Sequence, residues 1–360
     1  MKKWIKLGLC GLMVVSLSGC GGSGKSDVDP QEVYGCSTLN VYNWGEYVGE
    51  NVLSNFEKQY NVKINYSMFA SNEEMYTKLL GGSQYDVLVP SDYMIERMID
   101  ENMLQPLDKS MIPNLANLAD GVKGLSYDPD NTYSAPYFWG MVGIVYNKNN
   151  VDPADVESQG FDVLRNEKYK GHVFVYDSER DSFMMAFKAL GYSMNTENED
   201  EIQEAYQWLL DMDKKVDPSY VTDEVIDGMV TGEKDIAVVY SGDAAYILSE
   251  NEDMAYWLPE EGTNLWSDAM VIPANAKCPK LANEFINYIL TDDASYDNSS
   301  TVGYASSNKN VLEEMSAPGG EYDGNPAYLP RVGYAKDEVF KHNEVLKKIL
   351  ADLWIKVKNS

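Results

Sequence analysis

The chain has 360 residues, 44% of them hydrophobic, which is ample for the cores of two lobes. Its 57 acidic residues outnumber 29 basic ones and give a net charge of −28. That excess argues against nucleic acid as a partner, because affinity for phosphates rests on Lys and Arg, and it creates a field that attracts small cations.

The N-terminus reads as an export signal. Lys2, Lys3 and Lys6 precede an apolar run from Leu7 to Leu17, which is too short for a comfortable membrane span. Leu17-Ser18-Gly19-Cys20 then resembles the lipobox of bacterial lipoproteins. That resemblance implies that Cys20 becomes the mature N-terminus and carries a diacylglyceryl thioether, whose two chains suffice for stable anchoring. Residues 1–19 hold three lysines, so the remaining 26 basic and 57 acidic residues leave a charge near −31. Gly21 to Asp29, rich in Gly and Ser, reads as a flexible tether. Cys10 lies in the signal. Cys36 and Cys278 remain in a compartment that permits a disulfide, but their spacing leaves the pairing open. His172 and His342 are far apart and carry no metal-ligand spacing.

Next comes Leu39-Asn40-Val41-Tyr42-Asn43-Trp44-Gly45-Glu46-Tyr47, an apolar strand that ends in an indole, a carboxylate and a phenol. Val52, Leu53, Phe56 and Tyr60 follow at helical spacing. Val62 to Tyr66 alternates as a strand. Ser71-Asn72-Glu73-Glu74 is a capping-box pattern before a helix through Met75, Leu79 and Leu80. Tyr85 to Val89 is a buried-type strand, broken at Pro90-Ser91-Asp92-Tyr93 before a helix with Ile95, Met98 and Ile99. This β-α-β-α-β-α order predicts a mostly parallel sheet flanked by helices. Residues 105–135 read as loop. Asp128 to Thr132 lacks the Gly and Glu of a calcium loop and reads as a turn. Tyr137 to Tyr146 is extended and long enough to cross between lobes.

A second sheet begins near Gly171. Val173 to Tyr176 is a strand, broken by Asp177-Ser178-Glu179-Arg180-Asp181, with helix from Phe183 to Leu190. Glu201 to Met212 is helix, Ile236 to Tyr240 strand, Ser241-Gly242-Asp243 its end, and Ala244 to Leu248 helix. Trp257 to Pro259 is a short strand. Trp266-Ser267-Asp268 leads into Ala269 to Pro273, a second crossing segment. Helix Leu281 to Leu290, a Ser/Asp-rich stretch up to Gly303-Tyr304, and a C-terminal amphipathic helix complete the chain. The expected fold class is α/β, a two-lobe clamshell of mostly parallel sheets joined by extended hinge crossings. The expected division is a signal at 1–19, a tether at 20–36, one lobe from 37–140 with 270–306, and the other from 141–269 with 307–360.

Open α/β sheets bind ligands at their strand ends. Here those ends supply Trp44, Glu46, Tyr47, Ser91, Asp92, Tyr93, Asp177, Asp181, Tyr240, Asp243, Trp266 and Asp268, with one base, Arg180. Each has a structural alternative. Trp44 and Trp266 could pack a core. Asp92, Asp181 and Asp243 could cap helices, and Glu46 could serve a helix dipole. Together, carboxylates and aromatic faces suit a cation with an alkyl body. A small anion would need helix N-termini without competing acids.

The order Tyr42-Asn43-Trp44-Gly45-Glu46-Tyr47, Val89-Pro90-Ser91-Asp92-Tyr93, Pro136-Tyr137-Phe138-Trp139-Gly140, Leu190-Gly191-Tyr192, Trp266-Ser267-Asp268 and Val302-Gly303-Tyr304 resembles the spermidine/putrescine-binding lipoproteins. These are the substrate-binding components of polyamine ABC transporters. The resemblance spans about residues 38–310. It implies that Trp44, Glu46 and Tyr47, then Ser91 and Tyr93, form two ligand loops. It gives Asp181 an amine to hold, Tyr240 the place of an aromatic wall, Trp266 and Asp268 the aromatic-plus-acid pair at the lobe junction, and Tyr304 the place of a cleft tyrosine. Where the family can hold a second acid, this chain has Ser178, and Asp92 or Asp243 are candidates for the missing charge. The implied protein is an extracytoplasmic, lipid-anchored monomer with no cofactor and no bound metal, which captures a polyamine and delivers it to permease subunits. Alternatives are the same fold for another solute, a secreted hydrolase with paired carboxylates, or a structural lipoprotein. No G-x-S-x-G, H-E-x-x-H or phosphate loop supports an enzyme.

Overall fold

A computed structural model describes residues 29–360. The expected signal, Cys20 and the expected tether up to residue 28 lie outside the described residues. The last part of the expected tether is folded. Helix α1 (Pro30–Tyr34) is capped by Asp29, whose carboxylate accepts the Gln31 N–H at 2.9 Å. Cys36 is disulfide-bonded to Cys278, with Cα atoms 6.1 Å apart.

The first lobe contains β1 (Thr38–Trp44), α2 (Val52–Tyr60), β2 (Lys63–Phe69), α3 (Asn72–Leu80), β3 (Val87–Leu88) and α4 (Asp92–Asp100). Strand β1 lies between β2 and β3 and runs parallel to both. Helix α2 buries Val52 and Phe56, and Phe56 meets Phe285 edge-on at 5.0 Å. Full burial of such a ring contributes about 2–3 kcal/mol. The Ser71 hydroxyl caps α3 by accepting the Glu74 N–H at 3.1 Å, as the capping-box pattern predicts. After β4 (Leu104–Gln105), Asp128 closes a turn by accepting the N–H groups of Thr132, Tyr133 and Ser134.

Strand β5 (Ser134–Asn147) is buried along all 14 residues and belongs to both lobes. Its second half, Val142 to Tyr146, pairs antiparallel with β8 (Ile236–Tyr240) of the second lobe. There α5 (Pro153–Gln159), β6 (Val173–Tyr176), α6 (Glu179–Ala189), α7 (Glu199–Val216), β7 (Ser219–Val221) and α8 (Glu224–Val230) precede β8, and α9 (Ser241–Glu250) and β9 (Met254–Trp257) follow it. Strand β6 is parallel to β7 and β8. Strand β10 (Leu265–Pro273) then returns along the first half of β5, antiparallel, with Leu265 opposite Met141. Residues 265–269, expected in the second lobe, therefore sit in the first lobe's sheet. Three parallel strands, β2-β1-β3 in one lobe and β8-β6-β7 in the other, lie on either side of the antiparallel strands β10 and β5 that join them.

The rest is α10 (Pro279–Ile289), α11 (Asp292–Val302), β11 (Ala305–Ser306), α12 (Lys309–Ser316) and α13 (Glu344–Val357). Helix α13 packs on α6 and α7, whereas α12 packs on α11 and β11. Residues 309–316 thus sit with the first lobe, not the second. The Ser/Asp-rich stretch, given no element from the sequence, is helix α11. Thr291 caps it, Asp292 and Asp293 occupy its first turn, and Gly303 at φ 87° ends it. Acids and a cap at the N-terminus offset the low propensity of Ser and Asn. Helix α6 begins at Glu179, four residues before the expected start, because the Ser178 hydroxyl caps it. Among the described residues no helix is long and apolar enough to cross a membrane.

Candidate functional site

The two sheets meet where β5 passes from one to the other, and the strand ends of both lobes face this junction. Opposite Gly140, β10 places Trp266, and opposite Phe138 it places Asp268. The register slips between Asp268 and Ala269, and such an irregularity re-aims a side chain. A bridge between Ser91 and Asp268 brings the start of α4 to the same point. Gly140 is required here: a Cβ would lie 2.5 Å from Ser241 Oγ and 2.6 Å from Trp266 Cζ2. A Cβ on Gly242 would lie 2.1 Å from Tyr304 Cδ1.

These approaches build a continuous aromatic cluster. Tyr47 and Tyr304 have ring centroids 5.9 Å apart, Tyr304 and Trp266 5.0 Å, Trp266 and Tyr240 6.1 Å, and Tyr240 and Tyr176 4.9 Å. Three carboxylates are threaded through it. Tyr47 Oη donates to Asp268 at 2.7 Å, and Tyr240 Oη donates to Asp181 at 2.7 Å. Asp243 accepts from Tyr176 at 2.5 Å and from Tyr304 at 3.0 Å. The last contact joins the lobes. Each of these acids is steadied by a phenol that donates to it from elsewhere in the chain.

Burial governs the electrostatics. It pushes Asp268 up to about 6, although the Ser91 and Tyr47 hydroxyls act in the opposite direction. It pushes Asp243 up to about 6 against the hydroxyls of Tyr176 and Tyr304. Asp181 is raised for the same reason, with Ser178 and Tyr240 partly restoring its charge. Ser178, which stands where the resemblance allows a second acid, donates to Asp181 at 2.7 Å. Even so, Asp181 Oδ1 is buried without a hydrogen-bond partner in the described chain, as is Trp266 Nε1. An orphaned buried polar atom is costly. Three desolvated carboxylates, one with an open oxygen, can stabilise amine cations. Metal-binding clusters of His, Cys, Asp and Glu are absent among the described residues.

The remaining candidates lie around this centre. Trp44 closes the end of β1, with its N–H donated to Val89 O at 2.8 Å and its ring 4.6 Å from Phe69. Glu46 sits in the following turn at φ 49°, exposed. Asp92 is 1% exposed, and both of its oxygens accept backbone N–H groups, from Tyr93 and Ser267. Burial pushes it up to about 8, and both of its oxygens are already engaged by these backbone donors. Tyr93 already carries an internal cation, since the Arg180 guanidinium lies 3.6 Å from its ring centroid.

Sequence reasoning did not single out Tyr176, Asn72 or the two junction glycines for the site. Asn72 donates to both Ser91 Oγ and Tyr93 Oη at 3.0 Å. Its only signal was its place in the Ser71–Met75 motif. Tyr176 ends β6 as Tyr240 ends β8, and that parallel was available.

The description of bacterial extracellular solute-binding proteins matches residues 51–328. The spermidine/putrescine-binding periplasmic protein of Escherichia coli (strain K12) is 37% identical over 277 residues, 76% of this chain and 78% of that protein. The spermidine/putrescine ABC transporter substrate-binding protein of Streptococcus pneumoniae, solved with calcium and HEPES, superposes with a TM-score of 0.78 at 34% identity. That match covers 90% of this chain and 99% of the other. A lipoprotein of Treponema pallidum superposes with a TM-score of 0.77 at 25% identity, over 89% of this chain and 99% of the other.

Proposed function

Since this chain belongs to the bacterial extracellular solute-binding protein family, we propose that it captures a polyamine, spermidine or putrescine, outside the cytoplasm and delivers it to the permease of an ABC transporter. The observation that carries the reading is the set of Asp268 and Asp181, buried, and Asp243, half-buried, among Tyr47, Tyr240, Trp266 and Tyr304 at the lobe junction. Each acid can exchange a phenol donor for an ammonium donor, which restores the charge that burial disfavours. The rings cover the methylenes and attract the cation by about 0.5–2 kcal/mol each. Trp44, Ser91, Tyr93 and Glu46 shape the first-lobe side of the cleft, and Asp92 supports that wall rather than meeting the ligand. The protein binds and releases without chemistry.

Titration calorimetry with putrescine and spermidine tests the reading, with binding expected below millimolar ligand. No heat at millimolar concentrations of either would overturn it. We further assign Cys20 as a lipid-carrying N-terminus that holds a monomer to the membrane. Fatty-acid labelling that Cys20→Ala abolishes, with release of the protein into the medium, is the expected result.

A further inference from the structure

We propose that α13 is a clasp: its side chains reach from the second lobe to the first, hold the cleft shut and position Tyr93. The inference rests on the cleft being the polyamine site. Helix α13 belongs to the second lobe, where Leu346, Leu350, Leu353 and Trp354 join its core. Its first turn makes ion pairs with first-lobe helices. Glu344 pairs with Arg97 of α4 at 2.5 Å, and Lys347 pairs with Glu73 of α3 at 2.5 Å. Just before α13, the His342 N–H donates to Glu96 of α4 at 2.6 Å.

This set of contacts reaches the site through one residue. The Glu73 carboxylate that takes Lys347 also accepts from Tyr93 Oη at 3.5 Å. Burial alone would raise Glu73, but Lys347 and the Arg180 guanidinium outweigh it and hold the carboxyl below its ordinary value. Arg180, on α6 of the second lobe, covers the Tyr93 ring. Tyr93 is therefore fixed from two sides, by Arg180 of the second lobe and by first-lobe Glu73, whose carboxylate Lys347 of the second lobe holds, and parting of the lobes removes Arg180 and Lys347. Glu73, Arg180 and Lys347 are positioning residues, acting on ligand through Tyr93 and through closure.

The ion pairs are partly exposed, with Glu344 51% and Glu73 40% accessible, so their strength is modest and sensitive to salt. Losing both should speed ligand release about fivefold with little change in association, since closure acts mainly on dissociation. The test is stopped-flow dissociation of putrescine and spermidine from the wild type and from Glu344→Gln/Lys347→Met. The expected result is about fivefold faster release at low salt, with the difference shrinking below about twofold near 0.5 M NaCl. Equal release rates at low salt overturn the clasp, and so does an increase that salt leaves untouched. Radii of gyration of the ligand-free proteins test it separately. A larger value for the double variant supports the clasp, and identical values overturn it. If the wild type binds no polyamine, the functional reading fails, and the scattering comparison still decides on the clasp.

Discussion

Asp268 is the residue on which charge and burial bear most directly. Its ordinary value is 3.8 and burial lifts it to about 6, so the folded chain holds a proton there more tightly than the unfolded chain. The stability this contributes is fully present below about pH 4 and is lost as pH rises through about 6. At neutral pH the charged group burdens the ligand-free fold and serves only the bound one. Asp268→Asn should therefore leave the ligand-free melting temperature equal or higher while weakening polyamine binding by about 2–5 kcal/mol. Calorimetry and thermal melts check both, and an unchanged affinity would remove Asp268 from the site. Asp243, also at about 6, and Asp181, raised for the same reason, extend the argument to pH. A cation binds the ionised acids, so binding should release protons near pH 6 and weaken steeply below it. Titrations in buffers of different ionisation heat measure that release. An affinity that stays flat between about pH 5 and 7.5 would contradict the assignment.

At the scale of elements, the site depends on how closely β5, β10 and α9 approach. Gly242 at the start of α9 allows the Tyr304 ring to lie where a Cβ would be. Gly242→Ala should displace that ring, cost about 1–3 kcal/mol of stability and weaken polyamine binding, because overpacking moves whatever it touches. Gly81→Ala, whose Cβ would have no neighbour nearer than 3.4 Å, is the control expected to change neither. Melting and titration of the two variants together separate a local clash from a general glycine effect. The strand ends were legible because strands announce themselves by apolar runs that stop at polar and aromatic residues. The start of α6 was not, because a serine cap at Ser178 and a charged first turn look like loop when read without their hydrogen bonds.

For the whole molecule, the relevant constraint is what ties distant parts of the chain. The Cys36–Cys278 bridge spans 242 residues and fastens the start of the folded chain to the loop before α10. Cys278→Ser should cost about 2–4 kcal/mol of stability. Reductant should lower the wild-type melting temperature to the same degree and leave the variant unmoved. Insensitivity of the wild type to reductant would deny the bridge a role. The two lobes share β5 and meet again at β10, with the Val142 N–H donated to Asn264 O at 3.2 Å. Bending at these few positions is the motion that a hinged receptor needs. Adding putrescine should lower the radius of gyration in solution scattering, and lower it more in Glu344→Gln/Lys347→Met, whose ligand-free form the clasp no longer holds partly closed; no change in either would argue against closure on ligand.

By itself the sequence determined the two α/β units, the crossing segment that became β5, and the residue types at the strand ends. All of these follow from periodicity and composition over a few neighbouring residues, and the family resemblance added the expected ligand class. It did not determine which acids converge or which phenol holds each of them. Tyr47 meets Asp268 across 221 residues and Tyr240 meets Asp181 across 59, and no local pattern encodes such pairs. The antiparallel register of β5 with β10, the close approach at Gly140 and Gly242, and the reach of α13 back to Glu73 and Arg97 decided them. Side-chain partners of this kind are selected by how the packed elements fill space, and that exists only once the chain has folded.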